Sequence, residues 1–290
     1  MDAFKRAVGV ISPLVIFILI QYLVTFLATL TFMNTAVDPE AVLNQAQTLE
    51  LRNAAYEILN NNVVLISGIA SVISIPIFQR MLNREWMKRP YRLEALKPIY
   101  KKYIYVALAA IGMTVAFNLG VNAFELFRYD VDYAQIARGI YSESFYLQIL
   151  VIGFLMPVSE ELMFRGLVFE RISNYGSETA GVIITSLIFG FYHGTMIQIA
   201  YAFVFSLFMI FAYKRSGSFS APIVFHIVSN LSALAMNQLK PLTSMQYSVG
   251  IVIFFFIGLF GLYGLKQGRF FRVFSFEDYI AEDGGVESGE

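Results

Sequence analysis

Cysteine is absent from this chain of 290 residues, tryptophan occurs once and histidine only twice. Without cysteine there is no disulfide, no thiolate metal site and no cysteine nucleophile, and the redox compartment is left open. Imidazole chemistry must use His193, His226 or both. Charge is scarce as well. Asp, Glu, Lys and Arg supply 14% of the residues, against roughly a quarter in soluble domains. The two signs balance, with 21 Lys and Arg to 21 Asp and Glu, so there is no electrostatic case for nucleic acid as a partner.

What the chain has in excess is apolar sequence. Hydrophobic residues reach 57% and mean hydropathy is +0.62. At about 20 residues per crossing, this composition reads as an all-α, polytopic transmembrane bundle of about eight spans with no separate soluble domain. Apolar windows fall near 8–33, 63–81, 103–121, 145–169, 179–197, 199–213, 220–237 and 247–265. Lys5 and Arg6 precede the first run, which exceeds the roughly 7–15 apolar residues of a signal-peptide core and so reads as a retained span.

The segment from Arg80 to Lys102 is dense in Lys and Arg, and 213–215 and 265–272 share that bias, which marks them as cytoplasmic. Segments 34–62 and 122–144 are acidic or mixed and are expected outside. Both termini then lie in the cytoplasm of a multi-pass cell-membrane protein. Residues 39–59 read as an amphipathic helix on the outer surface, with Val42, Ala46, Leu49, Tyr56 and Leu59 on one face. Gly258, Gly261 and Gly264 read as close-packing positions. The organisation is therefore N-terminal helices over 1–144, core helices over 145–237, a last span within 238–272, and an acidic, disordered tail over 273–290.

Against this background the stretch "VSEELMFRG" at 158–166 stands out, because it follows the apolar run "FYLQILVIGFLMP". A charged side chain at the bilayer centre costs about 2.5–3.5 kcal/mol on an insertion scale. Glu161 and Arg165 are four apart and can pair on one helical face. Glu160 lies about 100° further round and has no local partner. Two carboxylates in such different surroundings suit acid/base work. Pro157 should leave the Gly153 carbonyl without its donor and kink the helix. The bland alternative is that these charges snorkel at the cytoplasmic membrane edge. The histidines weigh against it. "SLIFGFYHG" puts His193 within the fifth span, with Phe189 one turn earlier, and "PIVFHIVSN" puts His226 in the seventh, with Asn230 one turn later. Three spans thus offer Glu, His, and His plus Asn to one polar cavity, a set suited to water activation and oxyanion stabilisation.

Glu160, Glu161 and Arg165, then Phe189 and His193, then His226 and Asn230 occur in an order that resembles the CPBP family. These are the CAAX proteases and bacteriocin-processing, Rce1-like intramembrane endopeptidases. The resemblance covers about 145–237 and implies a glutamate-dependent protease. It implies Glu160 as general base on a water, His193 as its helper, His226 and Asn230 as oxyanion donors, and Glu161 with Arg165 as positioning groups. Implied partners are membrane lipid and a peptide or protein substrate, prenylated or a leader peptide. No cofactor is implied, although two His and a Glu also form a zinc ligand set. Rival readings are a non-proteolytic immunity factor or scaffold of the same fold, a proton-coupled transporter, and a bis-histidine haem protein. The cavity itself is expected to face the cytoplasm.

Overall fold

The computed structural model describes residues 3–36, 45–86 and 100–267. Among the described residues there are ten helices and no strand. They are α1 (Ala3–Ala36), α2 (Gln45–Asn61), α3 (Val63–Trp86), α4 (Tyr100–Ala123) and α5 (Val131–Ser142). There follow α6 (Phe145–Tyr175), α7 (Glu178–Tyr192), α8 (Met196–Ser216), α9 (Ser220–Asn237) and α10 (Ser244–Lys266). An all-helical bundle is what a membrane demands, because a helix satisfies its backbone groups within itself.

Six of these helices, α1, α3, α4, α6, α8 and α10, are long and apolar enough to cross a membrane by length and composition. The windows expected at 179–197 and 220–237 do form helices, but neither meets that standard. With its 15 residues, α7 is about 22 Å long at 1.5 Å per residue, short of a hydrocarbon core about 30 Å thick. The 18 residues of α9 include His226 and Asn230. The helix that His193 ends and the helix that carries His226 thus both fall short of the spanning standard.

Both segments expected outside contain a helix. Residues 122–144 contain α5, whose start is capped by the Asp130 carboxylate accepting from the Tyr133 N–H at 2.9 Å. In α2 the half-buried line is Leu51, Ala55 and Leu59, whereas Leu49 and Tyr56 are turned away from the bundle. Burial follows the i, i+4 row that meets α1, α3 and α5, not the longer stripe read from sequence. Val42 and the acidic tail over 273–290 lie outside the described residues.

The glycines of α10 do serve close packing. A Cβ on Gly261 would sit 2.3 Å from the Ala109 nitrogen of α4, one on Gly264 would sit 2.2 Å from the Tyr105 ring, and one on Gly112 would sit 2.2 Å from the Gly258 nitrogen. The two backbones thus touch where side chains would hold them apart, as small-residue seams allow in membranes.

The two ends of the bundle differ. At one end, Arg171 of α6 bonds Glu85 of α3 and the Gly9 carbonyl of α1, and Lys214 of α8 pairs with Glu178 of α7. The Tyr213 hydroxyl donates to Glu170 at 2.9 Å, Tyr103 Oη lies 2.9 Å from Ser218 Oγ, and Lys102 donates to the Arg215 carbonyl. At the other end lie α2, α5 and the turn between α7 and α8. There the second oxygen of Asp130 accepts from the Ile197 N–H at 2.8 Å, which ties the start of α5 to the start of α8. Burial by itself would raise the Asp130 carboxyl, but donors on Ile197, Tyr133, Thr195 and Met196 outweigh it and hold the group below the ordinary carboxylate range.

Gly261→Leu should lower the thermal midpoint of the purified protein, since forcing a side chain between α4 and α10 costs about 1–3 kcal/mol or more. Gly120→Ala, with nothing within 4 Å of the added carbon, should not lower it. Equal behaviour of the two variants would contradict the tight seam.

Candidate active site

The helix that carries "EELMFR" is irregular where chemistry is needed. Within α6, residues Ile149–Leu155 and Leu162–Phe169 are wound in the wider π register, with ordinary α-turns at Met156–Glu161 between them. Such insertions recur at functional sites because they re-aim side chains. They also change which carbonyl Pro157 leaves unpaired. The Met156 N–H bonds the Val151 carbonyl, five residues back. The next bond of that register would run from residue 157 to Ile152, and proline has no N–H to give. The freed carbonyl is therefore Ile152, not Gly153, and the Asn230 side-chain amide fills it at 2.8 Å.

Glu161 and Arg165 pair as their spacing predicted, Nη1 to Oε1 at 2.9 Å, and both side chains are fully buried. The guanidinium also donates to Ser206 Oγ of α8 at 3.0 Å and lies 4.4 Å from the centre of the Phe189 ring. The same Glu161 oxygen accepts from His226 Nδ1 at 2.8 Å. Glu161 thus joins a cation of its own helix to an imidazole of α9. Glu160 points elsewhere: its Oε2 stands 3.8 Å from His226 Nε2, beyond direct hydrogen-bond reach. One imidazole therefore lies between the two carboxylates, bonded to one and facing the other across a gap.

His193 caps the C-terminal end of α7 and does not lie within a span as the apolar window suggested. Gly194, at φ +87°, breaks the helix in the left-handed region that favours glycine, and Thr195 caps α8 on the other side. His193 Nδ1 lies 2.7 Å from the Phe189 carbonyl. A carbonyl only accepts, so Nδ1 carries the proton, and Nε2 of the neutral ring is the acceptor nitrogen. Phe189 is the hinge of the arrangement, with its ring centre 4.7 Å from that of His193 and 5.9 Å from that of His226.

Glu160, His193, His226 and Asn230 all line one cavity of about 800 Å³. Glu161 and Arg165 do not line it and stand behind the wall. The remaining walls are mostly apolar or aromatic, including Tyr192, Tyr201 and Phe205, with Gln21 and Asn118 among the few polar groups. Tyr133 and Tyr141 of α5 also contribute, and the sequence offered no signal for them because their helix lies in a segment expected outside the membrane. Ser206 was likewise missed. The five N–H groups of arginine required a further acceptor, yet nothing in the run around Ser206 marked it.

The lining positions come from the middle of the helices or from the part nearer α2 and α5, and none comes from the turns around Arg171 and Lys214. The cavity thus lies toward the end of the bundle away from Arg171 and Lys214. Among the described residues, no group of three or more His, Cys, Asp or Glu side chains is placed to hold a metal ion.

Fold and site together define a polytopic helical membrane protein with an internal, mostly apolar cavity that holds a few polar and ionisable groups. Residues 142–232 match the model of the type II CAAX prenyl endopeptidase Rce1-like family, and the match supports a likeness to the CPBP/CAAX proteases over that segment. The matched segment contains all the motif residues and leaves α1 to α4 and α10 outside it. No curated protein and no solved structure matches the chain.

Glu161→Gln should destabilise the protein strongly, since breaking a buried ion pair costs about 3–5 kcal/mol by stranding the other charge. The double variant Glu161→Gln/Arg165→Met should recover much of that loss in thermal denaturation. A double variant no more stable than the single one would show that the pair is not coupled.

Proposed function

We propose that the protein is an intramembrane endopeptidase that hydrolyses a peptide bond with a water activated by Glu160. The observation that carries this reading is the 3.8 Å gap between Glu160 Oε2 and His226 Nε2 on the cavity wall, with Glu161 and Arg165 fixed behind it. The CAAX protease family match at 142–232 supports the same reaction class.

In this reading Glu160 takes a proton from the water while the hydroxide oxygen bonds the substrate carbonyl carbon. His193 orients the water through Nε2, since its Nδ1 is held by the Phe189 carbonyl. The carbonyl oxygen becomes an oxyanion. His226, protonated on both nitrogens and balanced by Glu161, would meet it with Nε2–H, and the second N–H of the Asn230 amide would serve beside it. The C–N bond then breaks as protonated Glu160 returns its proton to the amine. Atoms and charge balance, and Glu160 ends as a carboxylate. Asn230 carries two duties here, because the hydrogen bond to Ile152 aims its amide.

Glu160→Gln should abolish proteolysis by the reconstituted protein and leave its thermal midpoint nearly unchanged, because its one ion-pair contact among the described residues, with His226 Nε2, is a loose 3.8 Å. His193→Ala and His226→Ala should also lose cleavage, the latter with some loss of stability. A Glu160→Gln variant that cleaves at near wild-type rate would overturn the assignment.

A further inference from the structure

One buried carboxylate beside the site serves two helices at once. Asp130 precedes α5, is 7% exposed and lines no part of the cavity. Its Oδ1 accepts from the Tyr133 N–H in the first turn of α5 at 2.9 Å, and its Oδ2 from the Ile197 N–H in the first turn of α8 at 2.8 Å. The first N–H groups of a helix lack acceptors within it, and the helix dipole favours a carboxylate there. Here two such termini share one group. The cap that α8 has of its own is weaker, since Thr195 Oγ1 meets the Gln198 N–H only at 3.4 Å. Asp130 also precedes the segment 142–232 of the family match and takes no direct part in the chemistry.

What this grip controls is His193. Only Gly194, Thr195 and Met196 separate that residue from Ile197. The turn is drawn tight by the Thr195 N–H, which bonds the His193 carbonyl at 3.2 Å. Packing does not hold its middle: a carbon added at Gly194 would meet nothing within 4 Å beyond the adjacent residues. The first turns of α8 also bring Gln198 and Tyr201 to the cavity, with the Tyr201 ring centre 6.2 Å from that of His193. A shift at the start of α8 therefore carries His193 with it. Glu160 and His226 would stay behind, because α6 and α9 are tied to each other through Glu161 and Arg165.

We propose that Asp130 is a positioning residue for the site: by capping α5 and α8 together, it sets where His193 stands relative to Glu160. Its effect on turnover rests on the endopeptidase reading; its effect on the imidazole does not.

The scarcity of histidine makes the effect visible. Isotope labelling of the histidine ring nitrogens of the full chain in detergent gives two NMR signatures, assigned by the loss of one in His193→Ala. Asp130→Ala should move the His193 nitrogens toward the tautomer average of a free imidazole and leave those of His226 in place. The kinetic probe is an internally quenched peptide that the wild type cleaves and Glu160→Gln does not. With it, kcat should fall by about ten- to a hundredfold while KM changes by less than about twofold. Asp130→Asn keeps one acceptor for two donors and should fall between, and it carries the test should Asp130→Ala not fold. Ser177→Ala removes the cap at the far end of α7; it should lower the thermal midpoint without moving either ring or kcat. Unchanged His193 signals in the Asp130 variants, or the same shift in Ser177→Ala, would overturn the proposal. So would a rise in KM alone, which would assign Asp130 to the α5 wall. A His193 shift in a protein whose wild type cleaves no peptide would uphold the placement and count against the endopeptidase reading.

Discussion

A guanidinium with no access to water must be neutralised where it stands, and much of the site's arrangement answers that requirement. Arg165 draws on Glu161 one turn away, on Ser206 from α8 and on the face of Phe189 from α7. Glu161, already bound, also holds His226 of α9. One buried cation thereby gathers four helices and fixes an imidazole beside the cavity. The cost of placing these charges in an apolar bundle is offset only when every partner is present. Geometry at the site is thus coupled to the stability of the core.

The neighbouring carboxylate is available for other work because it meets that network only across the 3.8 Å between its Oε2 and His226 Nε2. Adjacent positions on a helix differ by about 100°, so Glu161 faces the packed interior while Glu160 faces the cavity. The π-wound segments on either side adjust this aim, and the proline-freed carbonyl of Ile152 recruits Asn230. One backbone irregularity thus serves two purposes: it turns the glutamates and it positions an amide.

Much of this was legible from residues alone. The ion pair followed from i, i+4 spacing, the convergence of Glu160, His193, His226 and Asn230 from their placement in apolar runs, and the α4–α10 seam from the spaced glycines. Other features were not. Hydropathy runs straight through "GFYHGTMIQ" because the turn itself is apolar, so the sequence places His193 inside a span, whereas it ends a short helix. The proline effect was assigned one carbonyl too late, since sequence does not announce a π register. The direction of the cavity depends on which helix ends are tied together, and the pairing of Arg171 with Glu85, across 86 positions of sequence, leaves no local trace.

The central claim is the division of labour between two adjacent glutamates, and chemical modification tests it most directly. Brief treatment of the wild-type protein in detergent with a small carbodiimide, followed by peptide mass mapping, reads which carboxyl the cavity exposes. The account requires an adduct on Glu160 and none on Glu161. Modification of Glu161, or of both residues to the same extent, would contradict it.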